Sequence, residues 1–451
     1  MKKIIFSIAA LLAMFSLSVS AQDVVTAAAP AAAEVVPTIS SGNTAWMLVA
    51  TALVMLMTIP GLALFYGGLV RRKNVLSVLM QCFIITAVIT LEWVIVGYSM
   101  SFGSIKGALA PYIGGFDWAF LKGIKIDDVS PYYISQANDR IPHLVFIMFQ
   151  CMFAVITPAL IIGAFAERIK FKGFLIFTLL WALFIYNPVA HWVWSGDGWL
   201  FKLGALDFAG GTVVHINAGI AALVTALMLG KRRDYKNHAI PPHNIPFVAI
   251  GAALLWFGWF GFNAGSGLAA DGLAASAFLV THLATATAAF VWALLDWIVG
   301  KKPTVVGIST GAVAGLVAIT PAAGFVGVSG AIIIGVVVAV VCFFMVAYVK
   351  PKLGYDDALD AFGVHGIGGM IGALLTGVLA TPAIQAAYSG SAHQFITQLI
   401  AVGATIVYSG VGTFILFKIV DKTAGLRASD KEEAIGLDET MHHETAYTTF
   451  D

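Results

Sequence analysis

Charge is scarce in this chain. Only 11% of its 451 residues are Asp, Glu, Lys or Arg, where a soluble protein carries roughly a quarter. So few polar side chains leave a water-facing surface uncovered, which excludes an ordinary soluble globule. The balance is even, with 25 basic against 24 acidic residues and a net charge of +1, so no basic field invites nucleic acid. Cysteine is nearly missing. Cys82, Cys151 and Cys342 fall in or beside separate apolar runs, with neither metal spacing nor a pairing pattern; packing is their expected role. A metal-binding His/Glu motif and a Ser or Cys nucleophile pattern are both lacking, which argues against an intramembrane enzyme. No cofactor or metal is expected.

What is abundant is apolar side chain, 59% of the residues, with a mean hydropathy of +0.91. Glycine follows, with 46 residues, a composition that lets helices approach closely in lipid. Residues 1–21 read as a signal peptide: Lys2 and Lys3, an apolar run from Ile4 to Leu17, then small residues Val19-Ser20-Ala21 before the expected cut. Residues 22–42 read as an Ala/Pro-rich periplasmic linker, 43–420 as the transmembrane domain and 421–451 as a polar tail, either disordered or packed on the cytoplasmic face.

Apolar runs long enough to span a bilayer, roughly 17–25 residues each, lie near 44–69, 77–100, 143–166, 173–193, 211–230, 246–264, 273–299, 304–320, 328–349, 361–380 and 396–420. Lipid leaves no partner for an unpaired backbone group, so the fold class is all-α and polytopic, with eleven spans. Lys and Arg fix the orientation. Eighteen lie on one set of alternate connections and the tail, among them Arg71, Arg168, Arg232, Lys301 and Lys350; only Lys106, Lys122, Lys125, Arg140 and Lys202 lie on the other set. The mature N-terminus is therefore expected outside and the C-terminus inside a plasma (inner) membrane. The long outer connection 101–142 carries Tyr112, Phe116 and Trp118 and is expected to be ordered.

Ionisable groups inside spans are costly and point to function. His215 and His365 each follow an aspartate by eight residues, Asp207 and Asp357, and the topology puts the two aspartates on opposite faces. Two segments entering the bilayer from opposite sides are the trace of an inverted repeat, spans one to five against six to ten, with a site near the midplane. Eight helical residues rise about 12 Å, close to half of a ~30 Å core, so the imidazoles are expected at matching depth. A lone membrane histidine is also what a residue bridging two helices looks like. Two at the same offset favour a shared path, in which neutral imidazoles donate and accept hydrogen bonds to a small solute. Aromatics gather in three spans: Phe149 to Phe153 within the third, and, at outer ends, His191 to Trp194 and Trp256 to Phe262 with Ser266. They fit either an interfacial belt or a cation–π site.

The strings Phe65-Tyr66-Gly67-Gly68-Leu69, Ala166-Glu167-Arg168, Leu206 to His215, Gly258 to Ser266 and Phe362-Gly363-Val364-His365-Gly366 resemble the ammonium transporter family, the Amt, Mep and Rh group. The resemblance runs from about residue 43 into the tail. It implies an eleven-helix protomer, a homotrimer and one pore per protomer. Trp194, Ser266 and Phe153 would recruit ammonium, or its analogue methylammonium, outside; Phe153 and Phe262 would form a stacked gate. His215 and His365 would be the pore histidines, Asp207 would shape the outer site from behind, and Trp259 and Thr320 would support the pore. Gly425-Leu426-Arg427 and Gly436-Leu437-Asp438 look like the family's cytoplasmic segment, which in many bacterial relatives meets a PII-type signal protein. The rival readings are an ion-coupled secondary transporter, for which the spans offer Glu92 and Asp296 without a repeat partner, and an ammonium sensor signalling through its cytoplasmic face.

Overall fold

The computed structural model describes residues 36–135, 137–235 and 240–447. The signal peptide and most of the linker lie outside the described residues. Among the described residues ten helices are long and apolar enough to cross a membrane, and an eleventh apolar helix, Val305–Ile319, is shorter. In chain order they are α1 (Ser41–Leu69), α2 (Arg72–Phe102), α3 (His143–Phe165), α4 (171–194), α5 (Gly211–Leu229), α6 (Ile245–Gly265), α7 (Gly272–Gly300), α8 (Val305–Ile319), α9 (Val328–Leu353), α10 (Phe362–Leu379) and α11 (Ala392–Ala424). Each covers one expected apolar run.

Local chemistry sets the helix starts. Ser40, Asn244, Asp271, Thr304 and Ser391 precede α1, α6, α7, α8 and α11, and each accepts the N–H three residues on, satisfying a donor the helix leaves orphaned. The Ser40 cap starts α1 inside the stretch read as linker, and Thr38–Ile39 there pairs in parallel with Asp139–Arg140. The helix read as ending at 420 runs on to Ala424 and stops at Gly425 (φ 72°), a left-handed stop that glycine adopts without penalty.

The bundle is layered for lipid. α3 is buried along nearly its whole length and α5 along most of it, whereas α7, α9 and α11 turn large apolar side chains outward. Phe290 is 68% exposed and Val407 65%, a covering suited to an apolar surrounding rather than to water. At the centre α5 crosses α10 at Gly219 and Gly366. A methyl group on Gly219 would collide with the Gly366 backbone. Gly219→Val is therefore expected to push α5 and α10 apart and cost roughly 1–3 kcal/mol, read as a lowered melting temperature of the purified protein.

An internal repeat is visible in the helix defects. α4 is interrupted by a π-helical turn at Ala182–Tyr186 and α9 by one at Met345–Val349. Glycines in left-handed conformation follow, Gly204 (φ 86°) and Gly354 (φ 71°). Three residues after each glycine come Asp207 and Asp357, and both histidines then sit in π-helical turns, Gly211–Ile216 and Phe362–Gly366. Such turns open the backbone ladder and recur at functional sites.

Beyond α11 the tail packs on the protein. Ser429 and Glu432 form a capping box before α12 (Asp430–Ile435). The N–H of Leu437 donates to Asn74 Oδ1 (2.9 Å) as α13 (Leu437–His442) begins, and the Ser77 N–H donates to the Asp438 carboxylate (2.8 Å). Arg427 donates to the Leu229 and Lys231 carbonyls and to Glu433. Beneath lies a buried charge cluster: Glu167 accepts from Arg71 and Arg232, and Asp356 from Arg232. Burial alone would raise the Glu167 carboxyl, but Arg232 and Arg71 hold it below its ordinary range.

Candidate functional site

On the face opposite the tail, the ends of α3, α4 and α6 close around a cavity of ≈490 Å³ whose wall includes Phe153, Trp194, Ser266 and Asp207. Three of the expected recruiting side chains thus share one chamber. The Trp194 indole N–H donates to the Asp207 carbonyl (2.9 Å), which fixes the ring edge-on to Phe153 at 5.7 Å between centroids. Ser266 donates its hydroxyl proton to the Phe262 carbonyl (2.8 Å), so its oxygen lone pairs remain for a donor in the cavity.

Asp207 acts through the backbone. Its two carboxylate oxygens accept the N–H groups of Gly210, Gly211, Thr212 and Val213 at 2.6–3.1 Å. Those are the orphan donors of α5, and the carboxylate places this helix start and the histidine it carries. Asp357 does the same for α10 with the N–H groups of Ala361 (3.1 Å) and Phe362 (2.8 Å). Burial pushes the Asp207 carboxyl up to about 6, with the four backbone N–H bonds pulling the other way. Asp207→Asn puts an amide N–H₂ against backbone donors and is expected to cost about 1–3 kcal/mol for each N–H left unpaired, seen as a lower melting temperature. In the unmutated protein, lowering the pH on the Trp194 side through about 6 is expected to neutralise Asp207 and raise the half-saturation concentration for a cation; measuring uptake against pH on that side checks it.

Below the cavity the rings form a column. Phe153 and Phe262 stack at 4.1 Å with 22° between planes. Phe262 lies 6.1 Å from His215, and His215 lies nearly parallel to His365 at 5.4 Å and 17°. Trp259 lies 5.4 Å from His215 at 18°, and its indole N–H donates to the Thr320 hydroxyl (2.8 Å), which in turn donates to the Leu316 carbonyl (2.7 Å). Thr320 therefore locks Trp259, and Trp259 backs the His215 ring. Both imidazoles are buried, and neither His215 nitrogen nor His365 Nδ1 has a hydrogen-bond partner in the protein. Past His365 a second cavity of ≈40 Å³ opens toward the tail face, lined by Tyr66, Thr310, Asp360 and Val364.

Of the residues singled out in the sequence, Trp194, Phe153, Ser266 and Asp207 line the larger cavity, Phe262, Trp259, His215 and His365 continue below it as rings, and Thr320 holds Trp259. Glu92 and Asp296 belong to none of these. Glu92 accepts from Asn187 (2.7 Å), and Asp296 accepts from the Thr304 hydroxyl at the start of α8. Sequence reasoning missed Gln150, which lines the larger cavity beside Phe153, and Gln398, whose amide holds the Leu206 N–H and carbonyl and the Ala373 carbonyl. A lone glutamine in an apolar span was the available signal for Gln398.

A helical bundle wrapped for lipid, holding a ring-lined line of cavities between its two faces, defines a polytopic membrane transport protein. The ammonium transporter family profile matches residues 45–447. An ammonium transporter of Bacillus subtilis (strain 168) is 51% identical over 411 residues, 90% of this chain and 98% of that protein. The ammonium transporter Amt1 of Archaeoglobus fulgidus is 48% identical over 91% of this chain and 100% of that protein. The crystal structure of Saccharomyces cerevisiae Mep2 superposes with a TM-score of 0.80 at 35% identity, covering 87% of this chain and 89% of that one. The chain belongs to the ammonium transporter family.

Proposed function

We propose that this protein is a plasma (inner) membrane ammonium transporter that recruits ammonium at the outer aromatic cavity, strips its proton at or below the Phe153–Phe262 pair, and passes ammonia along His215 and His365, the proton either returning to water in the outer cavity or following along the two imidazoles. The observation that carries this reading is the uninterrupted ring column from Phe153 to His365 between two cavities. Ammonium and potassium are alike in size and charge, so a cation–π site holds both. An unpaired cation in a dry passage pays many kcal/mol, and ammonia pays little. Selectivity then follows from a proton that one ion can lose and the other cannot. The orphan nitrogens of His215 and His365 supply hydrogen bonds that a mobile ammonia lacks elsewhere in the apolar section. By the count of basic residues, the Trp194 face is outside and the tail face inside. Three protomers, each with its own pore, form the assembly, and the packed tail offers the surface a PII-type signal protein would cover. Uptake of labelled methylammonium by proteoliposomes tests the reading: saturable uptake against a protein-free control is expected, and its absence would sink it.

A further inference from the structure

The outer cavity is far larger than the ion sent through it. Its ≈490 Å³ exceeds by about an order of magnitude the ~30 Å³ share of a water molecule, which ammonium resembles in size. It falls in the range of sites for organic molecules, ~300–1,000 Å³. Recruiting one small cation needs Trp194, Phe153 and Ser266, yet the wall also carries Tyr132, Phe201, Phe208 and Tyr388, and among the described residues no Lys or Arg lines it. Several of these rings are fixed. Tyr132 stacks on Phe146 at 4.6 Å and donates its hydroxyl proton to the Phe102 carbonyl (2.5 Å). Phe208 and Tyr388 pack edge-on to Phe325 at 5.8 and 5.1 Å. Phe201, in the short helix Trp199–Leu203, leaves half its surface exposed while lining the cavity. Arg140 lies over one further wall ring, Tyr133, at 4.0 Å from its centroid, and among the described residues the other rings carry no cation of the protein's own. An aromatic box of this kind above a buried carboxylate is the recognised chemistry of quaternary ammonium binding: the rings attract the charge and the methyl groups bury apolar surface.

We infer that this chamber binds a methylated, quaternary ammonium ion above the recruitment site, and that such an ion plugs the pore. It carries no N–H proton to shed, and the Phe153–Phe262 rings, stacked in contact at 4.1 Å between centroids, would have to part much further for it than for ammonia. It stops where it binds and competes with ammonium. The plugging rests on the transport reading above; the binding does not.

The test uses the full-length protein and tetramethylammonium. In proteoliposomes the probe is expected to raise the half-saturation concentration for labelled methylammonium about tenfold without lowering the maximal rate. In the Phe201→Leu, Tyr388→Leu double variant its potency is expected to fall about tenfold or more, with probe-free uptake unchanged. Phe201→Leu alone alters a half-exposed ring and keeps the test readable should the double variant fold poorly. A tryptophan-fluorescence titration of the solubilised protein reads binding without flux. A saturable change there supports the chamber even in a preparation that moves no ammonium, a result that would count against the transport reading alone. Uptake and fluorescence both insensitive to the probe, or inhibition equally strong in both variants, overturns the inference.

Discussion

Replacing both His215 and His365 with leucine is expected to lower selective ammonium uptake by about thirtyfold or more, while the protein still assembles and purifies as the same oligomer. In the column, His215 and His365 lie 5.4 Å apart between the phenyl pair and the inner cavity, and they bring the polar atoms of this stretch. An ammonia molecule that loses hydrogen bonds to two imidazoles forfeits about 1–3 kcal/mol at each. At 1.36 kcal/mol per factor of ten, the summed loss of about 2–6 kcal/mol spans roughly thirtyfold to tens of thousandfold. Leucine is close to imidazole in bulk and keeps the passage dry, so the substitution tests hydrogen bonding rather than packing. Sizing of the purified variant separates failed assembly from failed transport. Uptake that stays undiminished and still excludes potassium would remove the histidines from the mechanism.

Trp194→Leu is expected to act on affinity rather than rate. A desolvated cation over an indole gains about 2 kcal/mol, which is roughly thirtyfold in binding. The half-saturation concentration should therefore rise by about that factor. Maximal uptake should change little, because Phe153, Phe262 and the histidines below Trp194 keep their own contacts. Proteoliposome uptake measured across a wide ammonium range reads both quantities. An unchanged half-saturation point would reject the cation–π role, and a lost maximal rate would move Trp194 from recruitment to conduction.

Much of this site is legible in the sequence because its residues repeat a simple spacing. The eight-residue interval from Asp207 to His215 and from Asp357 to His365 foretells two rings at one depth, and they lie together. The interval works because each carboxylate caps its own helix start, so the histidine's height is set locally. The glycine three residues before each aspartate belongs to the same repeat and strengthens it. Apolar length locates the ten long helices and the shorter Val305–Ile319 well, since lipid admits little else.

What was hidden depends on contacts between distant segments. The π-helical turns that carry both histidines leave no signature in hydropathy. The sequence left the tail either disordered or packed, and its packing rests on Asn74 and Ser77, more than 350 residues away along the chain. The cluster joining Glu167, Arg71, Arg232 and Asp356 likewise unites four connections far apart along the chain, which the sequence shows only as separate charged residues. Gln398 reads as an isolated polar residue until Leu206 is placed beside it.

The most direct test is flux of labelled rubidium, a potassium stand-in, through proteoliposomes holding the unmutated protein. A cation that cannot lose a proton should bind at the Trp194 cavity, raise the half-saturation concentration for methylammonium, and show no transmembrane flux above protein-free vesicles. Rubidium flux comparable to that of methylammonium would mean that the ring column conducts intact cations, contradicting passage as ammonia.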